Sequence, residues 1–272
     1  MRLLVRSLAF LAALPSPAAL GWTPPAPPDP QAILVEARED RIAKRFDDAL
    51  AKHLWFHNEV MNVDLAFRGV RLSFALADWA TLALKYEPAM TALQKARDAA
   101  ESDVKEGRGA RQAFADFAAI NRELGEEQKT RDLFVWIEAN DALLALSVFR
   151  MAQSALVETR EYAIWGKYAE PAAELASIVE NHRYIDASMK RRAVNTMEKD
   201  AFDRMFIQET ATLTALLAVN GRRTEAAEIA DGARKALDTP EMRTALEQAL
   251  EGRVPPRFPS RAETKAFRDS MP

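Results

Sequence analysis

The sequence predicts an all-α protein made of paired helices, and three observations support this prediction. Glycine is scarce, with 9 in 272 residues, and only Pro88 and Pro171 interrupt the stretch between residues 31 and 239. Both residue types mark turns, so their scarcity favours long helices over a many-turned β structure. Apolar residues in that stretch recur at intervals of three and four, which is the period of an amphipathic helix.

The stretch RLSFALADWATLALKYEPAMTALQKARDAA, residues 71–100, lies at the centre of this prediction. It reads as two helices joined at Tyr86-Glu87-Pro88. The first of these helices is apolar almost all round, and a helix without a polar face needs neighbours on every side. The remaining helices are therefore expected to pack around it.

Composition and charge exclude several classes of function. Hydrophobic residues make up 49% of the chain, which is typical of a globular protein. The formal net charge is −3, and removal of Arg2 and Arg6 with the leader described below leaves 35 basic against 40 acidic residues. This mildly acidic, mixed surface argues against a nucleic-acid partner. The chain has no cysteine, so disulfides, thiolate catalysis and cysteine-ligated metal centres are excluded.

The N-terminal residues 1–21 have the parts of a secretory signal peptide: Arg2 and Arg6, a short apolar run, and small residues before Trp22. Cleavage after Gly21 is expected, with cleavage after Ala18 as the second choice. An uncleaved membrane anchor is the alternative, but the run is shorter than the roughly 20 residues that a span requires. The mature protein is therefore expected in the periplasm or otherwise exported, without a membrane span.

The rest of the chain is predicted to form one helical domain, residues 31–252, between two irregular ends. Residues 22–30, WTPPAPPDP, form a stiff extended spacer because prolines prevent a helix there. Residues 253–272 carry five basic against two acidic residues and are expected to be a flexible tail. Outside the central pair, helices are predicted over residues 31–62, 110–124, 126–139, 141–165, 171–195, 196–219, 224–237 and 240–252.

Four segments of this domain align around their turns. After each turn, three small or apolar residues at i, i+4 and i+7 form one stripe on a helix. The four stripes are Ala89, Leu93 and Ala96; Thr130, Phe134 and Ile137; Ala172, Ala176 and Val179; and Ala226, Ala230 and Ala233. A small residue leads each stripe, so each second helix is expected to pack closely against the first.

These segments resemble the tetratricopeptide-like helical-repeat superfamily, and LLAVNGRRTEAAEIADGARKAL is the best match. The resemblance implies a right-handed stack of antiparallel helix pairs, an α-solenoid, over about residues 70–240. The intervals from Tyr86 to Gly125, Tyr168 and Gly221 are 39, 43 and 53 residues, against the family's regular spacing of about 34. The stretch RLSFALADWATLALKYEPAM is also similar to one in exported bacterial helical proteins of unassigned function. Repeats of this kind serve many roles, so the resemblance implies architecture rather than function.

His53 and His57 are the strongest candidates for a metal site. They are spaced i, i+4 in HLWFH and so share one face of a helix, the spacing that two imidazole ligands need. The motif lacks the glutamate that follows the first histidine in HExxH metalloproteases. Trp55 and Phe56 between them favour a packing role, so no metal or other cofactor is predicted.

A partner-binding groove is predicted from charged residues on the first helices of the pairs. Arg71 and Asp78 share one face of an apolar helix, but about 10 Å of helix separates them, so each needs another partner or a cavity. In a solenoid the first helix of each pair lines the concave surface. The predicted groove therefore consists of Arg71, Asp78, Asp116, Arg122, Glu158 and Glu161. An internal ion-pair network without a ligand is the alternative.

The predicted function is binding of a protein or peptide partner in the cell envelope, without covalent chemistry. The sequence has no GxSxG elbow, and no serine lies at a suitable spacing from a histidine. Trp79, Trp136 and Trp165 are expected in the core rather than stacked on a sugar. Two alternatives stay open: an envelope metal-binding protein or enzyme centred on His53 and His57, and a structural spacer that oligomerises.

Overall fold

The computed structural model describes residues 21–192 and 196–256, and every regular element in these ranges is a helix. The predicted all-α class is therefore confirmed for the described residues. The signal peptide lies outside them except for Gly21, and so do residues 257–272 of the predicted tail. None of the helices in the described ranges combines the length and the hydropathy that a bilayer span requires.

The chain divides into two compact units, Met1–Ala155 and Leu156–Pro272, and each is described by itself. The first unit contains α1 (Pro30–Ile42), α2 (Phe46–Val63), α3 (Arg68–Arg71), α4 (Phe74–Ala83), α5 (Glu87–Lys105), α6 (Ala110–Leu124), α7 (Glu127–Asn140) and most of α8 (Ala142–Glu158). The second contains α9 (Tyr162–Tyr168), α10 (Pro171–Arg192), α11 (Thr196–Val219), α12 (Arg223–Ala236) and α13 (Pro240–Leu250).

The core of the first unit forms around Trp79, which is 1% exposed in the middle of α4. Helices α2, α5 and α6 pack against α4 and contribute leucine, alanine and isoleucine side chains to one cluster. The Trp79 indole N–H donates to the Ala89 carbonyl at 3.1 Å, which ties α4 to the first turn of α5. The central hairpin predicted from the sequence is thus present, with Glu87 and Pro88 in the first turn of its second helix.

A second cluster of the first unit joins α1 and α2 to the residues before them. Trp22, the first residue of the predicted spacer, packs edge-on against Trp55 with ring centroids 6.4 Å apart. The Lys52 ammonium lies 5.3 Å from the centroid of the Trp22 ring. Residues 22–29 form no helix, as predicted, but the spacer begins on the surface of α2.

In the second unit, α11 packs against α10, α12 and α13 around Phe206, which is 2% exposed. Helix α12 contributes Ala230 and Ala233 to this cluster. Gly232 lies so close to α10 that an added Cβ would stand 2.6 Å from Cδ2 of Leu175. Small residues on α12 therefore set its approach to the neighbouring helices.

Two helix breaks were not predicted. Residues 31–62 are two helices rather than one, and residues 141–165 are also two. In each case the last turn ends in a basic residue with positive φ, Lys44 or Arg160, both at 62°. The following N–H groups of Arg45 and Glu161 donate to carbonyls five residues back, at 2.8 Å each. This is the Schellman geometry, in which the residue with positive φ is normally glycine. Because lysine and arginine occupy that position here, the sequence contained no glycine to mark these two helix ends.

Three of the four predicted stripes are buried. The nine residues of the stripes that follow the turns at Tyr86, Gly125 and Gly221 are each at most 5% exposed. Gly125 and Gly221 adopt positive φ at helix ends, as expected. The third stripe is wrong, because Ala172 and Ala176 are exposed. Of this stripe only Val179 packs against the core, and it does so together with Leu175 and Ile178, which the stripe did not include.

Candidate functional site

The histidine pair of α2 is buried against Trp79. The His53 ring lies parallel to the indole, with centroids 6.4 Å apart and an interplanar angle of 6°. The His57 ring meets the same indole edge-on at 5.6 Å and 68°. His53 is 2% exposed and His57 is 8% exposed. The spacing that suggested a metal site thus places two rings on one aromatic side chain.

Burial also keeps both rings neutral at neutral pH. Desolvation, together with the positive charges of the nearby Arg41 and Arg38, lowers the pKa of His53 to about 3. Desolvation and Arg71 lower the pKa of His57 to about 4, although Asp116 opposes this shift. A charged imidazole in such a place would lose its hydration and face guanidinium groups, so the neutral form is strongly favoured.

The surroundings of the pair do not favour a cation. The His53 Nε2 and His57 Nδ1 atoms are buried without a hydrogen-bond partner. However, the His57 Nε2 atom lies 3.4 Å from an Arg71 nitrogen, which already carries a positive charge. In the described ranges, no group of three or more histidine, aspartate or glutamate side chains is close enough together to hold a metal ion. The third histidine, His182, belongs to the second unit.

Arg71 is the most engaged charged residue of the predicted groove. It is 8% exposed at the end of α3. Its Nε atom donates to the His57 carbonyl at 2.5 Å, and its two terminal nitrogens bind both carboxylate oxygens of Asp116 on α6. The longer of these two bonds is 3.0 Å. Arg71 therefore links α2, α3 and α6 from inside the first unit.

The other groove residues of the first unit have separate partners. Asp78 accepts a hydrogen bond from Arg38 of α1 at 2.5 Å. Arg122 donates to the Leu72 carbonyl at 2.8 Å, and about half of its side chain is exposed. The structure thus brings together Arg71 and Asp116 but pairs Asp78 elsewhere.

Glu158 and Glu161, the remaining two predicted groove residues, belong to the second unit. Glu158 is the last residue of α8, and Glu161 precedes the first residue of α9. The six residues of the predicted groove are therefore divided between the two units, and the groove as a single surface stays a prediction.

Two further buried pairs of the first unit were not found from the sequence. Asp40 of α1 accepts hydrogen bonds from Lys52 at 2.5 Å and from the Arg45 Nε atom at 2.8 Å. Arg97 of α5 pairs with Glu126 at the start of α7. The sequence offered no sign of either pair, because these residues lie on helices whose charged positions read as solvent-facing.

Large apolar side chains are exposed near the end of α7 and at the start of α8. Leu143 is 81% exposed and Leu146 is 62% exposed, and their i, i+3 spacing puts them on one face of α8. Trp136, on the last two turns of α7, is 36% exposed, so its predicted place in the core is wrong. By contrast, Trp79 and Trp165 are fully buried. We call Trp136, Leu143 and Leu146 the α7–α8 apolar surface.

A pocket of about 280 Å³, a volume that includes solvent at its mouth, lies between α10 and α11 of the second unit. Most of its wall is apolar and is formed by Ile178, Ile185, Phe202, Met205 and Phe206. Asn181, His182 and Glu209 supply the polar groups of the lining. Sequence reasoning missed this pocket because its residues are spread over two helices, α10 and α11.

One side of this pocket carries a paired set of titratable groups. The His182 Nε2 atom lies 3.0 Å from Asp203, and the Lys199 ammonium lies 2.6 Å from the same carboxylate. Burial alone would raise the pKa of the Asp203 carboxyl, but the hydrogen bonds from Lys199 and His182 outweigh it and lower that pKa. The His182 ring also packs on Phe206, with centroids 4.4 Å apart.

No family model, no curated protein and no solved structure matches this chain. The assignment of a function therefore rests on its own residues.

Proposed function

We propose that this chain is an exported helical protein that binds a protein or peptide partner through the α7–α8 apolar surface. The observation that carries the proposal is the exposure of Leu143 and Leu146 on one face of α8, together with the exposure of Trp136 on the preceding helix α7. Exposed large apolar side chains cost free energy in water, and their burial by a partner recovers it. Aromatic residues such as tryptophan are enriched at the centre of protein interfaces, which are depleted of charged residues.

Partner binding through the charged residues of the predicted groove has weaker support than binding through the α7–α8 apolar surface. Arg71, Asp78 and Asp116 of the predicted groove are already bound to other residues of the first unit. A partner that used them would have to replace short, partly buried ion pairs. Arg122 is the exception, since about half of its side chain remains exposed. It represents the groove in the test below.

The helical-repeat architecture is part of the same proposal. Contacts between α4 and α5, α5 and α6, and α4 and α6 support successive antiparallel pairs in the first unit. The contacts of α11 with α12 and α13 support the same arrangement in the second unit. We propose that these pairs belong to a right-handed, tetratricopeptide-like stack, a design in which exposed helix faces commonly serve partner binding.

Capture of a partner from envelope extract tests the proposed surface. The mature chain, Leu143→Asp with Leu146→Asp, Arg122→Ala and Leu84→Asp are compared as baits by quantitative mass spectrometry. Leu84, which directly follows α4, is 66% exposed and is the matched control for a leucine-to-aspartate change. We expect the Leu143 and Leu146 double variant to lose the partner at least ten-fold, while Leu84→Asp and Arg122→Ala retain it.

Two other outcomes would contradict this proposal. Loss of capture in Arg122→Ala alone would place binding in the charged groove. If the double variant instead changes the mass of the free protein in light scattering, the surface joins copies of this chain, as in the oligomerising spacer.

Export is tested separately by mass spectrometry of the protein from a fractionated cell. The arginine, apolar and small-residue pattern of the N-terminus predicts a mature chain that begins at Trp22 or Ala19. An intact Met1 in the cytoplasmic fraction would contradict export.

A further inference from the structure

The described chain ends beside the pocket between α10 and α11. After α13, Val254 packs against a cluster that contains Ala211 and Ala215 of α11. Two residues later, the carbonyl oxygen of Pro256 accepts a hydrogen bond from the side-chain amide of Gln208, which lies earlier in α11. The chain after α13 therefore runs along α11 towards the N-terminus of that helix.

This direction leads to the pocket. Met205 lines the pocket and lies three residues before Gln208, which is about 4.5 Å along the helix axis. Residues spaced i, i+3 share one side of a helix, so Pro256 is next to the mouth of the pocket. Two further residues in an extended conformation span about 7 Å, which is enough for Phe258 to reach Met205.

The pocket suits an aromatic side chain. Its wall is largely apolar and includes Phe202 and Met205, and Met205 is 46% exposed. Aromatic rings pack favourably against each other and against methionine sulfur, and burial of exposed apolar surface lowers the free energy. Phe258 is the first aromatic residue beyond the described range. The nearby Pro256 and Pro259 restrict the backbone, so less conformational entropy is lost when this segment is ordered.

Charge favours the same segment. Glu209, the residue after Gln208, is exposed and contributes a carboxylate to the lining of the pocket. Arg257 directly follows Pro256, so its long side chain starts within reach of that carboxylate. Residues 257–272 carry four basic against two acidic residues. The segment that begins beside the pocket thus combines a positive charge with an aromatic ring.

We propose that residues 257–259 dock in the pocket between α10 and α11, with Phe258 against the apolar wall and Arg257 paired with Glu209. The C-terminal tail then covers the pocket from within the same chain, and an external ligand enters only after the tail is displaced. This contact belongs to the second unit and does not depend on the proposed partner binding through the α7–α8 apolar surface.

Methyl nuclear magnetic resonance spectroscopy of the mature chain tests the docking. We expect nuclear Overhauser effects between the ring protons of Phe258 and methyl groups of Ile185 and Met205. Phe258→Ala should shift those methyl resonances, because the ring current that acts on them is lost. The matched control is Phe267→Ala, which changes the other phenylalanine of residues 257–272 and should leave the resonances unchanged.

The same spectra test the ion pair. With Phe258→Ala as the undocked reference, the methyl shift of Met205 measures the docked fraction. Glu209→Gln should lower the docking equilibrium constant about two- to five-fold, the effect expected for a solvent-accessible pair. Glu228→Gln changes an exposed carboxylate of α12 outside the pocket lining and should leave that constant unchanged. An unchanged constant in Glu209→Gln would overturn the pairing with Arg257.

Three results would overturn the docking itself. If the Overhauser effects are absent and Phe258→Ala has the methyl shifts of the native chain, the tail does not occupy the pocket. If Phe267→Ala shifts the pocket methyl groups instead, a later part of the tail lies there. If the effects occur only between differently labelled copies in a mixed sample, the occupant is the tail of a second copy.

Discussion

The two units satisfy their buried polar groups in different ways. In the first unit, the described residues include buried charged side chains on four helices: Asp40, Lys52, Arg71 and Arg97. Each is bound to a residue beyond its own helix. In the described part of the second unit, the buried polar side chains are Thr210 and Thr214. Each threonine donates to a carbonyl four residues back in α11 at 2.8 Å.

This difference indicates what determines the packing in each unit. A hydrogen bond from a threonine to its own helix satisfies the hydroxyl but does not constrain the position of the neighbouring helix. A buried arginine that must meet a carboxylate on another helix penalises every other arrangement, because a lone buried charge is costly. We infer that ion pairs specify helix positions in the first unit, while small residues such as Ala226 and Gly232 do so in the second.

The largest expected effect comes from breaking the Arg71–Asp116 pair. Asp116→Ala leaves Arg71 buried with a single carbonyl partner, and removal of one member of a buried pair typically costs about 3–5 kcal/mol. Chemical denaturation should therefore show a large loss in the free energy of unfolding. Removal of the Glu225 carboxylate in the more accessible Arg222–Glu225 pair of the second unit should change the melting temperature less.

The same variant distinguishes the two interpretations of the predicted groove. If Asp116 serves a ligand, Asp116→Ala should weaken partner capture with little change in melting temperature. The contacts of Arg71 predict the reverse, a sharp fall in melting temperature with capture intact in the fraction that remains folded. Equal melting temperatures for Asp116→Ala and the native chain would refute the structural role.

A gradual effect is expected from acid, and it should begin in the first unit. The pKa values of His53 and His57, about 3 and about 4, are lower than the 6.5 of an exposed histidine, so the unfolded chain binds more protons below pH 6.5. Their contribution to stability is therefore complete above pH 6.5 and is lost as the pH falls towards the folded values. The slope is at most about 1.4 kcal/mol per pH unit for each histidine.

Hydrogen exchange followed by mass spectrometry measures this effect separately in each unit. Between pH 6.5 and 4, protection of α2 and α4 should fall faster than protection of α12. His53→Gln with His57→Gln should reduce that difference, whereas His182→Gln in the second unit should not. An identical loss of protection in both units would contradict the assignment.

The sequence predicted those parts of the fold that depend on periodicity and on glycine or proline at helix ends. Helix α6 was predicted to its exact residues, and α11 from Thr196 to Val219 likewise. Gly125 and Gly221 marked helix ends because a left-handed residue is most easily glycine. The buried stripe led by Ala226 followed from its i, i+4, i+7 spacing alone.

The candidate sites were less predictable, because ion pairing depends on which helices meet. Arg38 and Asp78 are 40 residues apart, and nothing in either helix indicates the other. The stripe at Ala172 and Ala176 failed for a related reason. Periodicity identified a face of α10 that carries small residues, but the neighbouring helices contact the face with Leu175 and Ile178.

The smallest expected effect concerns the two helix ends that the sequence concealed, one in each unit. Lys44 and Arg160 occupy the left-handed position of a Schellman motif, where a side chain with a Cβ is strained by about 1–2 kcal/mol. Both side chains are exposed, so replacement costs little packing. Glycine relieves the strain but makes the unfolded chain more flexible, so the net gain should be roughly 0.5–1 kcal/mol.

Lys44→Gly and Arg160→Gly should therefore each raise the midpoint of chemical denaturation, by similar amounts, although they lie in units with different packing. The matched control is Lys85→Gly, another exposed lysine near a helix end, which is not among the residues with positive φ. That change brings only the added flexibility of the unfolded chain and should lower the midpoint. The strain is local to the backbone, so the two glycine variants should gain alike. A higher midpoint for Lys44→Gly without one for Arg160→Gly would mean that the Asp40–Arg45 ion pair of the first unit also contributes to the turn at Lys44. Destabilisation by both glycine variants would show that the positive φ is not the source of strain at these helix ends.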